Sequence, residues 1–202
     1  MFPSPKLPQS SFRVKGLLFL GTKSYFEDHV PGGVEKLRQT LGPGPLRDFF
    51  DQRFLPGGLY EVLVVPQLIA AEAAAAGQSE RAYLRRRTEH QAAVDMGGVY
   101  KILLRVASPD MVVPRLPKVM TQMFNFGEPH VEKTGPREFL LRVDGVPAAL
   151  GPWLETALEI YVEYALVATG ATKPIVAMRR PTVMPSVEGH PVISLSLVAR
   201  WD

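Results

Sequence analysis

The chain has 202 residues, 46% hydrophobic and 21% charged, the balance of an ordinary globular protein long enough to bury its own core. It contains no cysteine, which excludes disulfides, thiolate catalysis, iron–sulfur clusters and cysteine-bound zinc. A formal charge of +3 is too mild to suggest a nucleic-acid-binding face, and the apolar runs are broken by charge before they could span a bilayer.

Residues 1–10 read as a flexible tail. The opening MFPSPKLPQSSF is proline-rich and has no apolar h-region, so no secretory signal is expected; with the absence of cysteine this points to a cytoplasmic protein. Residues 11–202 read as a single α+β domain, mainly helical over 11–128 and built on a sheet over 129–202. Phe12 and Val14 alternate with Arg13 and Lys15, which predicts a short strand. Leu17 to Glu27 is predicted helical and is broken by Pro31-Gly32-Gly33. Short helices follow over Val34 to Leu41 and Leu46 to Phe54, separated by Gly42-Pro43-Gly44-Pro45. Pro66 opens an alanine-rich helix that Gly77 ends. Ser79 is a suitable N-cap for a long helix from Glu80 to Val106, with Gly97-Gly98 inside it.

Ser108-Pro109 starts a fresh turn. Leu116, Val119, Met120, Met123 and Phe124 then follow the spacing of a buried helical stripe, and Gly127 closes that element. After Gly127 the period changes from 3.6 to 2. His130 to Lys133, Glu138 to Val143, Ile175 to Met178 and Val192 to Trp201 read as strands, and 151–169 reads as a helix. The fold class is therefore α+β: an N-terminal helical part, then a four-stranded antiparallel β-β-α-β-β sheet with a covering helix. In the last strand Ile193, Leu195, Leu197, Ala199 and Trp201 are expected inside, leaving Val192, Ser194, Ser196 and Val198 on an outer face.

Several phrases in this order of elements resemble DUF2378, a paralogous family of myxobacteria. They are VKGLLF at 14–19, SPDMVVPRLP at 108–117, NFG at 125–127 and LGPWLETALEIYVEYALVATGA at 150–171. The resemblance covers roughly residues 13–201 and implies no particular activity. A more distant likeness, in architecture alone, is to the superfamily of 4-vinyl-reductase-like, haem nitric-oxide-binding and TRAPP-like domains. It implies binding of a small hydrophobic molecule, haem or an acyl chain, or a role in assembly. Its haem-binding branch implies an axial histidine and a Tyr-x-Ser-x-Arg clamp. The nearest string here, Tyr83-Leu84-Arg85-Arg86-Arg87, lacks the serine, so no haem and no other cofactor is expected.

Among chemistry-bearing residues, Asp95 stands out because apolar residues flank it within a helix. A buried carboxylate needs a partner. Arg87, Gln91 and Asp95 recur every four residues on one face, which fits a structural tie between helices and also a ligand contact. His90 and Asp95 lie about 500° apart around the axis and so face different ways. The histidines lack the spacing of a helical metal site, and no metal is expected. Arg81, Arg85, Arg86 and Arg87 read as a solvated basic face, and Glu155, Glu159 and Glu163 as the wet side of the late helix. The soft apolar residues Met120, Met123 and Phe124, with Trp153 and Tyr161 facing them, read as core or as the wall of a ligand cavity. No phosphate-binding glycine loop and no Gly-x-Ser-x-Gly elbow occurs.

These readings favour a non-enzymatic cytosolic binding or signalling module. It would bind a small hydrophobic ligand or act as a dimeric scaffold, without nucleic acid and without a membrane span. The ligand-contact candidates are Arg87, Gln91, Asp95, Met120, Met123, Phe124, Trp153 and Tyr161. The homodimer is expected to form through the sheet or through 192–201 as its edge strand. The alternative is an enzyme using acid/base residues around Asp95, with Arg87 and His90 beside it.

Overall fold

A computed structural model describes residues 7–98 and 108–202. Two compact units are present, Met1–Arg87 and Thr88–Asp202.

In the first unit, β1 (Arg13–Lys15) pairs antiparallel with β2 (Leu59–Glu61), a strand the sequence did not announce. Around this ribbon lie α1 (Leu17–His29), α2 (Gly33–Leu41), α3 (Pro45–Asp51) and α4 (Val65–Ala75). Helix α4 has proline in its first turn, where no helical hydrogen bond is lost, and its alanines continue to the Gly77 turn. The core is aromatic. Phe19 stacks on Phe54 at 4.6 Å, and Tyr60 meets Phe54 edge-on at 4.8 Å. Gly16, the glycine of VKGLLF, lets the chain pass close to that cluster: its N–H donates to the Gly58 carbonyl at 2.8 Å. A Cβ there would collide with the Leu55 carbonyl oxygen and lie 2.7 Å from a Tyr60 ring carbon.

The boundary between the units falls inside α5 (Glu80–Gly97). The expected continuation of this helix to Val106 lies outside the described residues. Arg81, Arg85 and Arg86 are exposed, as expected of a solvated face, whereas Arg87 is buried.

The second unit holds α6 (Pro109–Val112) and α7 (Leu116–Met123), then β3 (Glu128–Gly135) and β4 (Glu138–Pro147). After these come α8 (Gly151–Ala168), β5 (Ile175–Met178), β6 (Thr182–Val187) and β7 (His190–Arg200). The α+β class and the antiparallel sheet with helix α8 packed on it are as the sequence indicates. Five strands form the sheet instead of the expected four. Strand β6 pairs with the first half of β7, and β5 pairs with the second half on the same side. Thr182–Val187 contains Pro185 and is largely exposed, so it lacks the apolar alternation that marks a strand.

The addition changes the place of β7. It lies between β4 and the β5/β6 pair and is not an edge strand. Val198 sits between Leu140 and Ala177 in register, and Val192 between Pro147 and Met184. Both valines, expected on an open outer face, are buried. On the inner face Phe139, Leu141 and Val143 pair with Ala199, Leu197 and Leu195, and Phe139 stacks on Trp201 at 5.8 Å. The Leu116–Phe124 stripe departs from its expected burial. None of the α7 residues is fully buried; α7 packs beside β3, the edge strand of the sheet. Glu155, Glu159 and Glu163 on α8 are half-buried instead of fully wet.

Candidate functional site: an apolar cleft at a β-bulge

Strand β4 runs in register with β7 up to Val143, then slips before Val146. The irregularity at Asp144-Gly145 is a bulge, the device by which a strand bends and re-aims its side chains. Facing it is the chain that leaves α7. Phe124 ends the helix in an extended conformation, and Gly127 turns into β3 with φ of 80°. At that angle an L side chain is strained, and a Cβ would also stand 3.1 Å from Val143 Cγ1. The glycine of NFG is thus required by both backbone and packing.

Between these segments lies an open cleft of about 500 Å³. Phe124, Phe126 and Met184 form its apolar walls, Thr121 and Asn125 are polar neighbours, and Glu128 and Asp144 are its charged residues. The rings of Phe124 and Phe126 are 5.2 Å apart at 52°, and Trp153 meets Phe124 edge-on at 5.9 Å. Met184 is fixed by the Gly145 N–H, which donates to its sulfur at 3.4 Å. Asp144 Oδ2 forms an ion pair with Arg142 Nε at 3.0 Å and lies 3.6 Å from His130 Nε2. His130 Nε2 is also 3.8 Å from Glu128 Oε1.

The eight residues singled out in the sequence fall into separate groups. Phe124 lines the cleft, and Trp153 touches Phe124 without lining it. Met120 and Met123 are half-buried on α7 and do not line it. Gln91, Asp95 and Tyr161 form a second group. Gln91 Nε2 donates to Asp95 Oδ1 at 2.8 Å, and the Tyr161 hydroxyl donates to Asp95 Oδ2 at 2.6 Å. Arg87 belongs to a third group, within the first unit. Its guanidinium donates to the Thr22 hydroxyl at 3.3 Å and to the Leu18 carbonyl at 3.4 Å.

That third group contains two residues the sequence did not single out, Glu72 and Tyr83. The Tyr83 hydroxyl donates to Glu72 Oε2 at 2.9 Å, and both side chains are buried. Burial pushes the Glu72 carboxyl above its ordinary range. The charge of Arg87 and hydrogen bonds from Tyr83 and Thr22 oppose the shift without cancelling it. Burial, then the neighbouring Glu72 charge, likewise pushes the Tyr83 phenol up, so it remains a donor. A lone glutamate among the alanines of an apolar helix was the available signal for this group. For the cleft, the signal was Asp144-Gly145 interrupting an apolar strand.

Among the described residues no group of acidic or histidine side chains is arranged to hold a metal ion, and no helix is long and apolar enough to cross a membrane. No family model matches the chain, and no curated protein matches it in sequence. Solved structures do share its architecture. An oxygen-binding H-NOX domain related to soluble guanylate cyclases superposes with a TM-score of 0.64 at 8% identity, covering 93% of this chain and 95% of that one. An Fe(II) unliganded H-NOX protein from K. algicida superposes with a TM-score of 0.62 at 14% identity, covering 93% and 96%. The helical first part, the antiparallel sheet and the helix across it thus give this chain the fold of the H-NOX domains over nearly its whole length.

Proposed function

We propose that the protein is a non-enzymatic, cytosolic binding or signalling module whose ligand is a small apolar molecule held in the cleft at the β4 bulge. The observation that carries this reading is the cleft itself. Its volume of about 500 Å³ lies in the range of small-molecule sites, and two phenylalanines and a methionine wall it. The H-NOX domains of the same fold include an oxygen-binding one, which supports a sensor-like role by analogy of architecture. The DUF2378 resemblance is compatible with it, since the NFG phrase forms one wall of the cleft.

Haem does not fit the residues that would have to clamp it. In the string nearest to the Tyr-x-Ser-x-Arg pattern, the Tyr83 hydroxyl is buried against Glu72, and the Arg87 guanidinium is buried against Thr22 and Leu18. The enzymatic alternative around Asp95 has less support, because both carboxylate oxygens of Asp95 accept hydrogen bonds from Gln91 and Tyr161 that suit a structural tie between helices.

Binding of the neutral fluorophore N-phenyl-1-naphthylamine tests the reading. Its emission is expected to rise with the wild-type protein, and Phe124→Ala is expected to weaken its affinity by about tenfold, the worth of one buried aromatic contact. Unchanged affinity in Phe124→Ala would move the ligand elsewhere.

A second reading, the dimeric scaffold, is favoured by the outer strands of the sheet. Ile175, Val183 and Val187 are exposed there, Val183 by 83%. The interface we propose is the β5/β6 rim, and light scattering over a concentration series tests it: a monomer mass throughout would remove it.

A further inference from the structure

The cleft at the β4 bulge has a charge signature as well as apolar walls. The chain is net positive, yet among the described residues the charged ones lining the cleft are the carboxylates Glu128 and Asp144, with no lysine or arginine among them. Arg142 reaches Asp144 from outside the lining and takes Oδ2, leaving Oδ1 without a partner among the described residues. Two carboxylates, the half-buried Asp144 and the exposed Glu128, thus stand beside one guanidinium and the imidazole of His130. The Asp144 side chain is only 22% exposed, so its field is weakly screened. Two aromatic rings, Phe124 and Phe126, 5.2 Å apart, also line the cleft, and aromatic rings attract cations.

We infer that the ligand of this cleft carries a positive charge on an apolar body, an ammonium attached to a small aromatic or aliphatic group. The inference rests on the cleft being the ligand site. The apolar body would displace water from Phe124, Phe126 and Met184, while the ammonium would meet the ring faces and Asp144 Oδ1. An anionic ligand of the same shape would bring like charge against Asp144 and Glu128. The cleft volume suits a free small molecule.

Three probes of one shape test this on the full chain: 4-phenylbutylamine, 4-phenylbutan-1-ol and 4-phenylbutyrate. Affinities are read from the amide resonances of Phe126, Gly127 and Gly145. The amine is expected to bind about tenfold tighter than the alcohol, and the acid to bind most weakly. Asp144→Asn combined with Glu128→Gln should abolish the preference of the amine over the alcohol. Added salt should narrow the preference in the wild-type protein, a readout that needs no variant. If the alcohol or the acid binds as tightly as the amine, the charge inference is overturned while the cleft remains a ligand site. If none of the three shifts those amides, the cleft reading falls and the inference falls with it.

Discussion

The Tyr161 hydroxyl stands 2.6 Å from Asp95 Oδ2 and ties α8 to the C-terminal half of α5. Gln91 holds the other oxygen at 2.8 Å, one helical turn away. Hydrogen bonds to a charged acceptor are worth about 1.5–3 kcal/mol each. Asp95→Ala is therefore expected to destabilise the protein by about 1–3 kcal/mol, and Tyr161→Phe by somewhat less. Urea denaturation checks both. An unchanged midpoint for Tyr161→Phe would mean that the bond does not persist in solution.

Glu72 gives a pH dependence with a definite sign. Its folded pKa is raised by burial above the ordinary value of 4.5, so the folded state holds the proton more tightly than the unfolded chain does. The stabilisation is fully present below that ordinary value and is lost as pH rises through the folded value. The stability difference between wild type and Glu72→Gln should therefore shift against the wild type as pH rises from about 4.5 towards neutrality. Parallel denaturation series at several pH values read this directly, and a constant difference would exclude the linkage. Glu72→Ala is a separate case: it strands the buried Tyr83 hydroxyl, with an expected loss of about 1–3 kcal/mol.

Gly16 is constrained by its neighbours and not by its own dihedrals, since its φ of −58° suits any residue. The obstacle is the Leu55 carbonyl and the Tyr60 ring beside it. Gly16→Ala should force the β1–α1 junction away from the aromatic cluster at a cost of about 1–3 kcal/mol. Thermal unfolding checks it; a melting temperature equal to wild type would show that the loop at Leu55 yields freely.

At the proposed dimer interface, the exposed edge makes Val183 the informative residue. If the protein self-associates through β6, Val183→Arg should convert the dimer to monomer without altering the fold, because the side chain is 83% exposed in the single chain. Sedimentation or light scattering reads the change. A dimer that survives would place its interface off this strand.

Taken alone, the sequence determined those features that depend on neighbours along the chain. Proline and glycine set the limits of α2 and α4. The change of period after Gly127 announced the sheet, and the apolar alternation of Leu195, Leu197, Ala199 and Trp201 identified one face of β7. Local periodicity could not supply what depends on distant partners. It does not reveal that β6 completes a second flank for β7, so Val192 and Val198 looked exposed although neighbours on both sides cover them. Helical spacing placed Arg87 on one face with Asp95, yet the bonds each forms depend on which helix packs against that turn. Arg87 meets Thr22, and Asp95 meets Tyr161. The cleft needed still more, because a bulge in β4, the end of α7 and a methionine from β6 come together only when the sheet is assembled. Spacing along a chain fixes the direction of a side chain about its own element, whereas tertiary packing decides what it meets there.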